Sequence, residues 1–110
     1  MPPMATTAET TFSVLVVDDE ADARTILRAE LEKVPGVNLK VSTAANGDEA
    51  LDKLKGTPFD LGFLDYLLPP TNGLDILEKI RQHHPKTAVV MTTAAGNEQV
   101  AVSAMKKGAM

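Results

Sequence analysis

Apolar and polar positions along this chain follow two alternating rhythms. Ser13–Val17 (SVLVV) is a short apolar run, the pattern of a buried strand. After it the spacing changes. Ala23, Ile26, Leu27, Glu30, Leu31 and Val34 recur three or four residues apart, with Arg24, Arg28 and Glu32 on other faces, which predicts an amphipathic helix ended by Pro35-Gly36. Val37–Thr43 alternates, with Val37, Leu39 and Val41 on one side and Asn38, Lys40 and Ser42 on the other, as an edge strand with one wet face would. Asn46 and Glu49 have capping-box spacing, opening a second helix whose buried stripe is Ala50, Leu51 and Leu54 and whose stop is Gly56-Thr57-Pro58. Phe59–Leu64 reads as a strand covered on both faces, with Gly62 inside it. A turn over Pro69–Gly73 leads into a helix from about Leu74 to His83, ended by Pro85. Thr87–Thr92 is a fourth buried strand, and a last helix is expected from about Glu98 to Lys107, with Gly108 as its stop.

The order β-α-β-α-β-α-β-α predicts a parallel sheet with helices on both faces. Its 110 residues suit one domain, with no internal repeat or linker to suggest a second. Residues 1–12 (MPPMATTAETTF) have neither a basic start nor an apolar stretch, so they are not a secretory signal; they read as a loose, disordered tail before a domain at 13–110.

Composition narrows the function classes. Hydrophobic residues at 44% and charged residues at 24% are globular proportions. Fifteen acidic against eleven basic side chains give a net charge of −4, which argues against a nucleic-acid surface. The absence of cysteine excludes a disulfide scaffold, a thiolate metal site and a cysteine nucleophile, and suits a reducing compartment. No apolar run approaches the ~20 residues that span a bilayer. A cytoplasmic protein with no membrane partner is therefore expected.

In open parallel sheets, chemistry collects beyond the carboxyl ends of the strands. Those positions hold Asp18, Asp19 and Glu20 after the first strand, Ala44 and Ala45 after the second, Asp65 after the third, and Thr93 and Ala94 after the fourth. An acidic pair before a helix is ordinarily a cap, favoured by the helix dipole. Three aspartates converging on one sheet edge are different, because like charges raise one another's pKa. A hard divalent cation with oxygen ligands and open positions, such as Mg²⁺, resolves that repulsion. The glycines form no phosphate-cradling loop. His83 and His84 read as cations near a helix C-terminus rather than as ligands. Met91 and Met105 read as packing.

The turn after Asp65 is specific: Pro69 follows it by four residues and Gly73 by eight. With Val14-Leu-Val-Val-Asp18-Asp19-Glu20, Asn46-Gly47-Asp-Glu-Ala50-Leu51, Phe59-Asp60-Leu-Gly-Phe-Leu-Asp65, Thr92-Thr93-Ala94-Ala95-Gly96-Asn97-Glu98 and Val102-Ser-Ala-Met-Lys-Lys-Gly108-Ala109, the chain from Ser13 to its last residue strongly resembles a bacterial response-regulator receiver domain. The resemblance implies a flavodoxin-like, doubly wound parallel sheet of strand order 2-1-3-4. It implies a phosphoacceptor signalling module of two-component systems, not an enzyme, with a histidine kinase or phosphotransfer protein as partner. Asp65 would take the phosphoryl group. Asp18, Asp19, Asp65 and the backbone carbonyl of Leu67 would hold Mg²⁺. Thr93 would give its hydroxyl to the new phosphoryl group, and the small Ala94 would leave access to Asp65.

The match departs from the family at one point. Receivers continue into a fifth strand ending in a lysine and a fifth helix, whereas this chain ends at Met110, and Lys106 and Lys107 do not match that lysine. The expectation is a receiver fold lacking its last βα unit, with the fourth strand as an exposed edge open to homodimer pairing. Two rivals stand beside the phosphoacceptor reading. One is a docking module without productive phosphorylation. The other is an aspartyl-phosphate phosphatase, disfavoured because Leu67 stands where that class has a second acid.

Overall fold

The alternation of apolar runs and helical stripes is realised as a sheet sandwiched by helices. The structure, a computed structural model, describes residues 10–92. In chain order the elements are β1 (Thr10–Val17), α1 (Ala21–Glu32), β2 (Val37–Ala44), α2 (Gly47–Gly56), β3 (Leu61–Asp65), β4 (Leu67–Leu68), β5 (Thr71–Asn72), α3 (Gly73–His83) and β6 (Ala88–Thr92). The main sheet is four-stranded and parallel, in the order β2-β1-β3-β6, and β4 and β5 form a separate antiparallel pair. This is the flavodoxin-like arrangement expected, with the first strand inside and the chain wound outward in both directions.

Side-chain alternation along the strands divides the core in two. Leu15, Val17, Leu64 and Val89 face α2 and α3, where they meet Ala50, Leu54, Ile76, Leu77 and Ile80. Val14, Val16 and Val41 face the other way and pack with Leu27 and Leu31 of α1 and with Leu39, Leu61 and Phe63. A period of two in each strand thus supplies both faces from one short apolar run.

Several boundaries differ from those expected. β1 begins at Thr10 rather than Ser13, because Thr10, Thr11 and Phe12 pair in register with Val37, Asn38 and Leu39. The Asn38 side-chain amide donates to Thr11 Oγ1 at 3.3 Å, extending the ladder with two β-branched residues and an aromatic. Residues 10–12 therefore belong to the sheet and not to the tail. β3 starts at Leu61, not Phe59. Asp60 instead splices three strands: its N–H donates to Ser13 O, its carbonyl accepts from Ala88 N, and its carboxylate accepts from Ser13 N at 2.8 Å. The expected stripe of α1 is narrower than its sequence pattern. Ile26 is 64% exposed and Val34, beyond the helix end, 43%, so only Leu27 and Leu31 reach the core.

Caps fix where the other helices begin. Asn46 Oδ1 accepts from Glu49 N at 2.8 Å, and Glu49 Oε1 accepts from Ala45 N at 2.7 Å rather than from the cap residue itself. Asn72 Oδ1 accepts from Asp75 N at 3.0 Å and starts α3 at Gly73, one residue before the expected Leu74. The expected turn at Pro69–Gly73 overlaps the β4–β5 hairpin of residues 67–72, whose Leu68 is fully buried and whose Pro69–Pro70 bond is cis. The last expected helix, with Met105, lies outside the described residues.

Candidate functional site: an acidic pocket at the carboxyl ends of the strands

Parallel pairing brings the ends of β1, β3 and β6 level. Val17 is in register with Leu64, and Asp65 with Thr92, so the residue after β1 stands beside the last residue of β3. There Asp18, Asp19 and Asp65 each offer a carboxylate oxygen within 4.8 Å of the others. Among the described residues this is the one group of three or more metal-ligating side chains so arranged. His83 and His84 lie at the far end of α3 and take no part in it.

Local hydrogen bonds explain why these carboxylates are presented and not consumed. Helix α1 has Glu20 at its N-cap and no side-chain cap. Asp18 Oδ1 instead accepts from Glu20 N at 2.9 Å, an Asx-type turn that lifts the chain off the sheet. The backbone of Asp18 is held on both sides: its N–H donates to Ala44 O at 3.1 Å, and its carbonyl accepts from Arg24 Nη1 at 2.8 Å. The ordinary cap reading of this acidic pair therefore fails, since neither aspartate satisfies the first-turn N–H groups of α1.

Asp65 is anchored as firmly. Its Oδ1 accepts from Leu67 N at 3.2 Å, and the next residue, Tyr66, donates its N–H to Thr92 O at 3.0 Å. The carbonyl of Tyr66 accepts from Gly73 N at 2.6 Å, tying the first residue of α3 to the floor of the pocket. A Cβ at position 73 would overlap Asp65 O and lie 2.8 Å from Tyr66 Cα, so only glycine lets α3 approach this closely.

Electrostatics set Asp65 apart. Its pKa is raised: partial burial is the largest cause, the Leu67 N–H opposes it, and the charges of Asp18 and Asp19, with a hydrogen bond that the protonated Asp65 carboxyl donates to the Asp18 carboxylate, add to the rise. A divalent cation among these oxygens would relieve the repulsion, and the all-oxygen donor set suits a hard ion.

Of the residues singled out in the sequence, Asp18, Asp19 and Asp65 are thus brought together, with Leu67 two residues beyond on β4. Thr93 and Ala94 follow the end of β6 directly and lie outside the described residues. Arg24 escaped the sequence reading, because its spacing marked only a polar helix face; its task depends on where α1 lands relative to Asp18.

Residues 14–110 match the family described as the response regulator receiver domain. The chain belongs to this family. It is 42% identical over 95 residues to the response regulator protein PilR of Pseudomonas aeruginosa, covering 86% of this chain and 21% of that protein. It is 40% identical over 96 residues to the transcriptional regulatory protein CpxR of Escherichia coli, covering 87% of this chain and 39% of that protein. The chain thus spans between a fifth and two fifths of the length of these two relatives. Among solved structures, NtrX from Brucella abortus superposes with a TM-score of 0.83 at 35% identity, over 92% of this chain and 23% of that one. TrrA from Thermotoga maritima, in complex with Mg²⁺ and a beryllium fluoride, superposes with a TM-score of 0.75 at 32% identity, over 86% of this chain and 79% of that one. Receiver domains are signalling modules that pair with histidine kinases or phosphotransfer proteins. Among the described residues of this receiver, no helix is long and apolar enough to cross a membrane.

Proposed function

We propose that Asp65 is the phosphoacceptor of this receiver and that the acidic pocket works with Mg²⁺. The observation that carries the reading is the convergence of Asp18, Asp19 and Asp65 at the carboxyl edge of the sheet, with Asp65 on the strand flanked by both β1 and β6. A carboxylate oxygen of Asp65 attacks the phosphorus of a phosphohistidine on the partner. The new P–O bond forms as the P–N bond breaks, and the imidazole leaves with the bonding electron pair and takes a proton from solvent. Mg²⁺, when bound, neutralises charge on the phosphoryl oxygens and on the three carboxylates.

The chain's own residues do the positioning. Leu67 N–H occupies Oδ1 of Asp65, which leaves Oδ2 as the attacking atom. Asp18 and Asp19 hold the cation, with the Leu67 carbonyl as a backbone ligand, and Arg24 and Ala44 keep the Asp18 backbone in place. Thr93, next after the strand residue paired with Asp65, donates its hydroxyl to the phosphoryl group once it is formed. TrrA, 32% identical, accommodates Mg²⁺ and a beryllium fluoride, which favours the same use of the pocket here.

Incubation with acetyl phosphate and Mg²⁺ tests the reading by intact-mass measurement. One phosphoryl group is expected, absent with Asp65→Asn and absent with excess chelator. Equal labelling of Asp65→Asn would refute it, and a chain that takes no label would instead support the docking module without productive phosphorylation. A homodimer through the edge of β6 goes with this reading, since β6 has a sheet neighbour on one side only among the described residues. Sedimentation at micromolar concentration checks it, and a monomer at all concentrations removes it.

A further inference from the structure

The opposite end of the sheet carries a cluster of basic side chains. Where α2 and α3 end, Leu51, Lys55, Lys79, His83 and His84 line a groove of about 330 Å³. A second hollow of about 260 Å³ shares His83 and His84 and continues along Lys86. The chain as a whole has a net charge of −4, yet no carboxylate lines either hollow. The groove opens beside the start of β6, a strand length away from Asp65; five residues of β3 correspond to roughly 16 Å.

Helix ends explain only part of this. The dipoles of α2 and α3 favour Lys55 and His83 in their last turns. Lys79 lies a turn earlier and Lys86 lies beyond α3 altogether. The ion pairs among the described residues are Arg28–Glu32, Lys33–Glu30 and Lys53–Glu49, so none engages Lys55, Lys79 or Lys86. Between these cations Leu51 remains half-buried, an apolar floor with a charged rim.

We propose that this groove docks an acidic segment of a partner protein. An apolar side chain of the segment seats on Leu51, and flanking carboxylates meet Lys55, Lys79 and Lys86. Charge complementarity selects the sign of the partner, and the floor selects a peptide over a polyphosphate. Phosphate sites draw on arginine forks and helix N-termini; here the helices present their carbonyl ends and no arginine lines the groove. The acidic balance of the rest of the surface also repels a nucleic-acid backbone.

The test uses the ¹⁵N-labelled full chain titrated with a random glutamate–tyrosine copolymer, with polyglutamate and with duplex DNA. Amide shifts confined to Leu51, Lys55, Lys79, His83, His84 and Lys86 are expected with the copolymer. Lys55→Glu combined with Lys79→Glu should weaken its binding at least tenfold, and Leu51→Ser should reduce it to the level of polyglutamate. Lys55→Gln with Lys79→Gln repeats the measurement if the charge-reversed chain does not melt cooperatively. Shifts scattered over the surface, undiminished binding by both double variants, or tighter binding of DNA than of the copolymer would each overturn the proposal. Phosphoryl labelling of Asp65, measured separately, does not enter this result.

Discussion

Gly73 packs against the carbonyl of Asp65 so closely that no Cβ fits between them. The first residue of α3 is thereby the floor under the acidic pocket, and its N–H bond to Tyr66 O fixes the turn that leaves β3. Chain geometry eight residues downstream sets where the carboxylate points.

Gly73→Ala should consequently damage the site more than the fold. The added methyl meets backbone, which cannot rotate away, so Asp65 and Tyr66 must shift. Overpacking of this kind costs about 1–3 kcal/mol. Urea melts should show that loss, and labelling by acetyl phosphate should slow at least tenfold. Gly62→Ala is the control: its Cβ would sit 3.9 Å from Leu15 O and 4.0 Å from Ala88 O, ordinary contact distances, and it should label at nearly the native rate.

Stability should depend on pH through Asp65. Its folded-state pKa is raised by burial and by the neighbouring carboxylates. The folded chain then binds more protons than the unfolded one between the two values, so stability falls as pH rises through the ordinary aspartate value of 3.8 and on through the raised one. Above that window the full penalty persists. Asp65→Asn removes it, and in chelator at pH 7 should melt higher than the parent. Solvent screening at this partly exposed group keeps the gain small. The difference should vanish well below pH 3.8 in thermal melts. A parent that melts higher than Asp65→Asn at pH 7 without metal would contradict the electrostatic account.

Mg²⁺ should reverse that penalty. A cation that binds only the folded state stabilises by RT ln(1 + [L]/Kd), about 2.7 kcal/mol at a hundredfold excess over Kd. Asp19→Asn should lose most of this shift, since it removes one of three converging carboxylates. The same variant should be no less stable than the parent in chelator, because one like charge has gone. Melts with and without Mg²⁺ check both statements, and an undiminished Mg²⁺ shift in Asp19→Asn would remove it from the ligand set.

The succession of strands and helices was legible because each element announces its period over five or more residues. The convergence of Asp18, Asp19 and Asp65 followed from the same order, since parallel strands end together. Features shorter than a period were invisible. Leu67–Leu68 and Thr71–Asn72 are two residues each, and their pairing depends on the turn between them. Thr10–Phe12 lacks an apolar run, yet becomes strand because β2 extends alongside it. Ile26 obeyed the helical spacing but projects away from the narrow stripe of Leu27 and Leu31. The Asn46–Glu49 spacing marks a capping box in the sequence, while the bond of Glu49 to Ala45 depends on how the chain enters the helix.

Arg24 acts on the pocket from outside it. Its guanidinium leaves the surface of α1 to donate to Asp18 O at 2.8 Å, beside the Asp18 N–H bond to Ala44 O. It neutralises no carboxylate of the pocket in this arrangement; it holds the backbone from which one projects. Arg24→Met keeps the aliphatic stem and removes the donor, so packing is largely preserved. The carbonyl is part-buried, and losing a charge-assisted bond to it should cost about 1–2 kcal/mol. Asp18 then gains freedom, and Mg²⁺ affinity should fall about tenfold, the lower end of the loss seen when groups orienting a metal ligand are removed. Arg24→Lys should recover part of the affinity, because an ammonium can reach the same carbonyl without the fixed fork. Isothermal titration with Mg²⁺ separates this from a purely structural effect. If Arg24→Met lowers the melting temperature but leaves Mg²⁺ affinity unchanged, Arg24 braces the helix and not the pocket.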